Sequence, residues 1–182
     1  MVKPFCVLAA ALAMSANVAT ASNEERKDLQ VFNDVAKAVN RYTQFTIFDD
    51  INAGVKDGVV TLTGRVTMPY KRDDIEKRVA KIDGVSQVRD KIEVLPVSLF
   101  DDQLRYRIAR SIYGSLNFQP LAARANPPIH VIVEHGRVTL TGVVNSHVDR
   151  MLARSLASQF GAFSVVNNLK TDAEVREALE KL

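Results

Sequence analysis

Apolar residues recur along this chain at two periods, and the order of the periods is itself repeated. Val31, Val35, Val39 and Tyr42 stand three or four apart with Phe32 beside them, which predicts one face of a helix. Ile51, Ala53 and Val55 then alternate with polar residues up to Asp57-Gly58. That dipeptide predicts a tight hairpin with Gly58 at positive φ. Val60, Leu62, Gly64 and Val66 continue on one face of the partner strand, with Thr61, Thr63 and Arg65 on the other. Pro69 predicts a helix start. Ile75, Val79 and Ile82 follow at i, i+4 and i+7, and Gly84 ends that helix. Val88, Ile92 and Val94 predict a closing strand. The order is helix, strand, strand, helix, strand.

The same order is written a second time. Val55–Val66 reappears as Val133–Val144, 78 positions on, with V-T-L-T-G identical. Gly84, Val88 and Ile92 reappear as Gly161, Val165 and Leu169, 77 positions on, so the second copy lacks one residue near Asp83. A duplication accounts for both shifts. In copy two, Leu104, Ile108 and Ile112 form the first helical stripe. Ile129, Val131 and Val133 face Val138, Leu140 and Val144 across His135-Gly136. Ser146 with Asp149 reads as a helix cap, and Val148, Leu152 and Leu156 with Phe160 form the second helix face before Gly161. Two helices on one face of a three-stranded sheet make an α+β sandwich whose other sheet face, rich in Thr, can stay wet. The expected fold is two tandem αββαβ sandwiches, residues 22–97 and 98–170, that pack on each other. Residues 115–128, with Pro120, Pro127 and Pro128, are an added loop in copy two. Residues 171–182 predict a C-terminal helix, with Thr171 and Glu174 as a capping box and Val175, Leu179 and Leu182 on one face.

The first 21 residues follow a different logic. Lys3 precedes an apolar run from Phe5 to Met14, and Ala19-Thr20-Ala21 is an A-x-A cleavage pattern. The run is too short to span a bilayer, which takes about 20 residues. Residues 1–21 are therefore expected to be a signal peptide cleaved after Ala21, delivering a periplasmic protein. The single Cys, Cys6, lies inside that segment with no lipoprotein signal before it, so neither a disulfide nor a lipid anchor is expected.

The repeated pattern resembles the BON domain (bacterial OsmY and nodulation domain). The resemblance rests on Phe45–Val66 with its Asp-Gly turn and V-T-L-T-G strand, then Gly84-Val85 and Val88, and again on Ile129–Val144, Gly161 and Val165. Copy two departs at Gly161-Ala-Phe, where the family has Gly-Val, and in its long loop. A signal peptide followed by two such units is similar to the osmotically inducible periplasmic proteins and the outer-membrane dual-domain lipoproteins, though this chain lacks a lipidation cysteine. The resemblance implies envelope integrity, osmotic-stress tolerance and binding of anionic phospholipid rather than catalysis. The family's motif of glycines and apolar residues specifies a fold and transfers no site residue.

Side chains with chemistry are few. Gly58, Gly84, Gly136 and Gly161 sit at turns and helix ends, and Gly64 and Gly142 within strands, where a missing side chain permits close approach. His130, His135 and His147 lack the spacing of a metal helix. The adjacent pairs Asp49-Asp50, Asp73-Asp74 and Asp101-Asp102 point in different directions and read as caps and solvated charge. No catalytic set, metal, cofactor or small-molecule substrate is expected.

Charge distribution carries the positive signal. Residues 22–97 hold 13 basic and 13 acidic side chains. Residues 103–170 hold eight basic and two acidic, a net of +6, and seven of the eight are Arg. Guanidinium pairs bidentately with phosphate. Arg105, Tyr106, Arg107, Arg110, Tyr113, Arg150 and Arg154 are accordingly the expected contacts to an anionic phospholipid surface. Export argues against nucleic acid. The alternative is a scaffold or holdase-like module that binds envelope proteins through sheet edges or the terminal helix.

Overall fold

A computed structural model describes residues 16–180. Domain 1 begins with α1 (Ala16–Asn40), followed by β1 (Asp50–Lys56), β2 (Val59–Val66), α2 (Pro69–Val79) and β3 (Gln87–Val94). Domain 2 repeats this with α3 (Leu99–Gly114), a short α4 (Gln119–Ala122), β4 (Ile129–Glu134), β5 (Arg137–Val144), α5 (His147–Ala157), β6 (Ser164–Asn167) and β7 (Lys170–Thr171). The chain ends in α6 (Asp172–Glu180). Residues 1–15 of the expected signal peptide lie outside the described residues, and the expected cleavage point after Ala21 falls within α1.

In each domain the middle strand pairs antiparallel with the first and parallel with the last, in the order β1-β2-β3 and β4-β5-β6. The missing residue in copy two is visible in the register. Val59 lies opposite Gln87, an offset of 28, whereas Arg137 lies opposite Ser164, an offset of 27. The closing strand of domain 2 also breaks after Asn167, and β7 resumes beside Val143 and Val144 at the same offset of 27.

The two cores are the predicted stripes. Val31, Val35, Val39 and Tyr42 pack on Val60, Leu62, Val66, Ile75, Val79 and Ile92. Leu104, Ile108 and Ile112 pack on the inner faces of β4 and β5 with Ala153 and Ala157. Three positions depart from expectation. Val148 is 71% exposed, because Ala153 and Ala157 set the inward direction of α5 and Val148 lies away from it. The added loop is not idle: it folds into α4 and inserts Phe118 and Leu121 into the core of domain 2. Ile132, on the sheet face away from the helices, is only 3% exposed, so that face of β4 is not wet.

Both hairpins turn through two left-handed residues, Asp57 with Gly58 and His135 with Gly136. Each turn is held by a carboxylate from the preceding helix. Asp28 accepts from the amides of Asp57 and Gly58 at 2.8 and 3.0 Å. Asp101, 1% exposed, accepts from those of His135 and Gly136 at 2.9 and 2.7 Å. Asp101 was expected to be a solvated cap; instead both its oxygens are spent inside the fold. Gly64 and Gly142 are points of close backbone approach. A Cβ at Gly64 would overlap the carbonyl oxygen of Asp50, and one at Gly142 that of Pro128, and both residues have positive φ.

The domains dock through the segment between α1 and β1. The Val131 amide donates to the Ile47 carbonyl at 2.7 Å, and His130 Nδ1 donates to the Asp49 carbonyl at 2.6 Å. Phe48 meets the Tyr106 ring edge-on with centroids 5.1 Å apart. Arg65 bridges Glu93 in its own domain and Glu134 in the other, at 3.3 and 3.4 Å. The docking segment is organised by Asp49, which is fully buried rather than solvated. One oxygen accepts from the amide and hydroxyl of Thr67, and the other from the amide and hydroxyl of Thr46 and from Lys71 Nζ at 2.6 Å. Burial pushes this carboxyl up, but the bonds from Lys71, Thr67 and Thr46 outweigh it and hold the group below the usual carboxylate range.

Two predictions follow from this packing. Gly142→Ala is expected to destabilise domain 2 by roughly 3 kcal/mol or more, since both φ and the Pro128 carbonyl oppose it. Gly54→Ala, with open space around it and no positive φ, is the matched control within about 1 kcal/mol. Urea unfolding of the two variants compares them. The Asp49 contribution is fully present above the ordinary carboxylate pKa, about 3.9. It is lost as pH falls through the depressed folded value. Asp49→Asn is expected to cost about 3 kcal/mol at pH 7, by leaving Lys71 buried without its counter-charge, and to shrink the acid dependence of stability. Thermal melts across pH 2–7 check this.

Candidate functional site

The arginine-rich face of domain 2 is built by α3 and α5, which pack side by side on one sheet face. Ser98 caps α3 by accepting from the Asp101 amide, and Ser146 caps α5 by accepting from the Asp149 amide. On α3 the buried positions Asp101, Leu104, Arg105, Ile108, Ala109 and Ile112 define the inner face. At about 100° per residue, Gln103, Arg107 and Arg110 then point outward. On α5, Ala153 and Ala157 point inward, so His147, Met151 and Arg154 point outward.

The seven expected contacts separate into three groups. Arg107, Arg110 and Arg154 are exposed, and none forms an ion pair among the described residues. Tyr106 is exposed but lies against Phe48, at the seam with domain 1. Arg105, Tyr113 and Arg150 are engaged by the fold. Arg105 is 4% exposed, ion-paired with Asp102, and donates to the Val133 carbonyl at 2.7 Å. Its inward turn comes from its place beside Leu104 and Ile108 on the helix stripe. The Tyr113 hydroxyl donates to the Ile129 carbonyl at 2.6 Å and accepts from the Ile129 amide at 3.0 Å. Burial pushes that phenol up to about 12. Arg150 donates to both Glu174 oxygens, to the Leu169 carbonyl and to His147 Nδ1. The Thr171 amide and Arg150 hold Glu174 below the usual carboxylate range. Arg105 and Tyr113 therefore leave the set of surface contacts, and Arg150 ties α6 to the domain.

The structure adds a feature that was only half visible in the sequence. At the hairpin end of domain 2, Phe100 and Phe163 are 55% and 81% exposed, and Leu99 is 80% exposed beside them. Both rings lie over Gly136: a Cβ there would sit 2.6 Å from Phe163 and 3.4 Å from Phe100. The departure at Gly161-Ala-Phe was the sequence signal.

Enclosed space offers less. A cavity of about 410 Å³ between the domains is lined by Arg65 and Lys91, offset by Asp50 and Glu93. His130 is committed to the Asp49 carbonyl, and among the described residues no three His, Cys, Asp or Glu side chains converge as a metal set. Among them, too, no helix is long and apolar enough to cross a membrane.

The sequence profile of the BON domain matches twice, over residues 31–96 and 106–173, which together cover most of the chain and coincide with the two sandwiches. The chain belongs to the BON domain family. Each BON domain is one αββαβ unit of the duplication, and the second match reaches past β7 into α6. No curated protein matches the chain. Among solved structures it is similar to the C-terminal domain of CdsD, described as the structural protein of the type III secretion system of Chlamydia trachomatis. Identity is 16% over 78% of this chain and 65% of that one, with a TM-score of 0.32. A second CdsD structure from Chlamydia trachomatis aligns at 14% identity over 83% of this chain and 97% of that one, with a TM-score of 0.29. At these scores neither likeness bears on function.

The division between engaged and free arginines is open to measurement. Arg105→Ala is expected to destabilise the second BON domain by about 2 kcal/mol, through the lost bond to Val133 and lost packing. Arg107→Ala and Arg110→Ala are expected to stay within about 0.5 kcal/mol. Urea midpoints of the three variants check the contrast.

Proposed function

We propose that this protein works in the bacterial envelope by binding anionic phospholipid through the second BON domain, and so supports envelope integrity or tolerance of osmotic stress. The observation that carries this reading is the exposure of Arg107, Arg110 and Arg154 on two adjacent helices of a domain whose residues 103–170 carry a net charge of +6. Guanidinium groups on a rigid helical layer suit phosphate headgroups, which offer paired oxygens at a surface. The first BON domain balances its charges and serves as the rigid partner against which the second is held. The family and the leader pattern both agree with a periplasmic location.

Attachment of this kind weakens with salt, because screening shortens to about 8 Å at physiological ionic strength. Each basic side chain near an anionic membrane contributes about 1 kcal/mol. Reversing Arg107, Arg110 and Arg154 to Glu is therefore expected to weaken binding at least 100-fold. Co-sedimentation with phosphatidylglycerol and phosphatidylcholine vesicles across a salt series tests it. Equal sedimentation with both lipids, or unchanged binding by the triple variant, overturns the reading.

A further inference from the structure

Resting on that reading, we propose that the hairpin end of the second BON domain is an insertion tip. Phe100 and Phe163 enter the boundary between headgroups and acyl chains of an anionic bilayer, while the arginines behind them hold the phosphates.

The duplication supplies the control. Phe163 and Ser86 occupy the same place: their amides donate to the carbonyls of Gly136 and Gly58 at 2.9 and 2.8 Å. Phe100 corresponds to Lys27, because each directly precedes the carboxylate that holds its hairpin turn, Asp101 or Asp28. One fold thus closes the same turn with Lys and Ser in domain 1 and with two exposed Phe rings in domain 2. The fold does not need the aromatics. Contiguous exposed rings of this kind mark a contact surface.

Charge and length select a membrane as what they contact. Arg137 follows Gly136 directly and is exposed. Arg107 lies seven residues along α3 from Phe100, about 10 Å at 1.5 Å per residue. Phe100 and Arg107 share one side of the helix, since seven residues are nearly two turns. Rings at the tip and guanidinium groups about 10 Å behind match the depth to which interfacial segments enter a bilayer, about 5–10 Å. The acidic side chains at this end do not oppose it. Asp101 is buried on the turn amides, Asp102 is paired with Arg105, and Glu134, next to the turn, is paired with Arg65 of domain 1.

The chain contains no Trp, so Phe163→Trp makes a single reporter at the tip. With phosphatidylglycerol vesicles its emission is expected to shift to the blue and to be quenched by lipids brominated on the acyl chains. The pair Phe100→Lys with Phe163→Ser, which copies domain 1, is expected to keep its thermal transition and its low-salt binding. It should lose at least tenfold of the binding that survives high salt. A Trp variant that sediments with the vesicles but is neither shifted nor quenched overturns the insertion tip and leaves the arginine reading intact. Failure of the unmodified protein to bind phosphatidylglycerol removes both. A blue shift that appears without lipid, on raising protein concentration, shows the tip covered by a second copy and also overturns the proposal.

Discussion

Each domain hangs on one carboxylate reaching two amides. A hairpin turned through two left-handed residues points consecutive N–H groups towards the helix packed above it, and these donors find acceptors there, partly exposed in domain 1 and more deeply buried in domain 2. Asp28 and Asp101 supply them. The bond ties the middle of α1 in domain 1, and the start of α3 in domain 2, to the tip of the hairpin, and with it sets the direction of the first helix over the sheet. In domain 2 it also places Phe100 beside Phe163 and aims Arg107 and Arg110 along one side of α3. The surface chemistry is thus set by a buried bond.

A second buried charge sets how the domains meet. The edge of β4 is open to pairing, and exposed strand edges recruit other chains. Here the segment ending at Asp49 covers part of that edge, with the Ile47 carbonyl taking the Val131 amide. The segment holds its shape because Asp49 gathers Thr46, Thr67 and Lys71 around one carboxylate. Desolvating an ion pair costs free energy, and what it gives in return here is a defined docking loop, with Phe48 and the His130 contact in register.

The sequence made the fold legible because both periods and the duplication act locally. The stripes of α1 and α3, the two left-handed turns, the caps at Ser146 and Thr171 and the one-residue deletion are all present where spacing puts them. What spacing did not reveal was direction within a helix and contact across the chain. Arg105 has a charge that suggested the surface, yet its position beside Leu104 and Ile108 put it inside. Asp49 looked like half of a solvated pair, and only Lys71, twenty-two residues on, explains its burial. Phe118 lay in a segment read as loop because its partners are on strands and helices distant in sequence.

Comparing the two copies separates what the fold requires from what has been added to it. Shared features, the turn glycines, the helix-borne aspartates and the apolar stripes, are the cost of building the sandwich. Features present once are free to serve something else. Domain 1 alone has the Asp49–Lys71 pair, and it faces domain 2. Domain 2 alone has the arginine surplus, the α4 plug and exposed phenylalanines at its hairpin turn, and most of these face outward. On the proposed reading, duplication followed by this kind of divergence gives one copy the task of holding and the other the task of contact. A single sandwich of this size would have to do both with one set of faces, and its sheet edge would remain open.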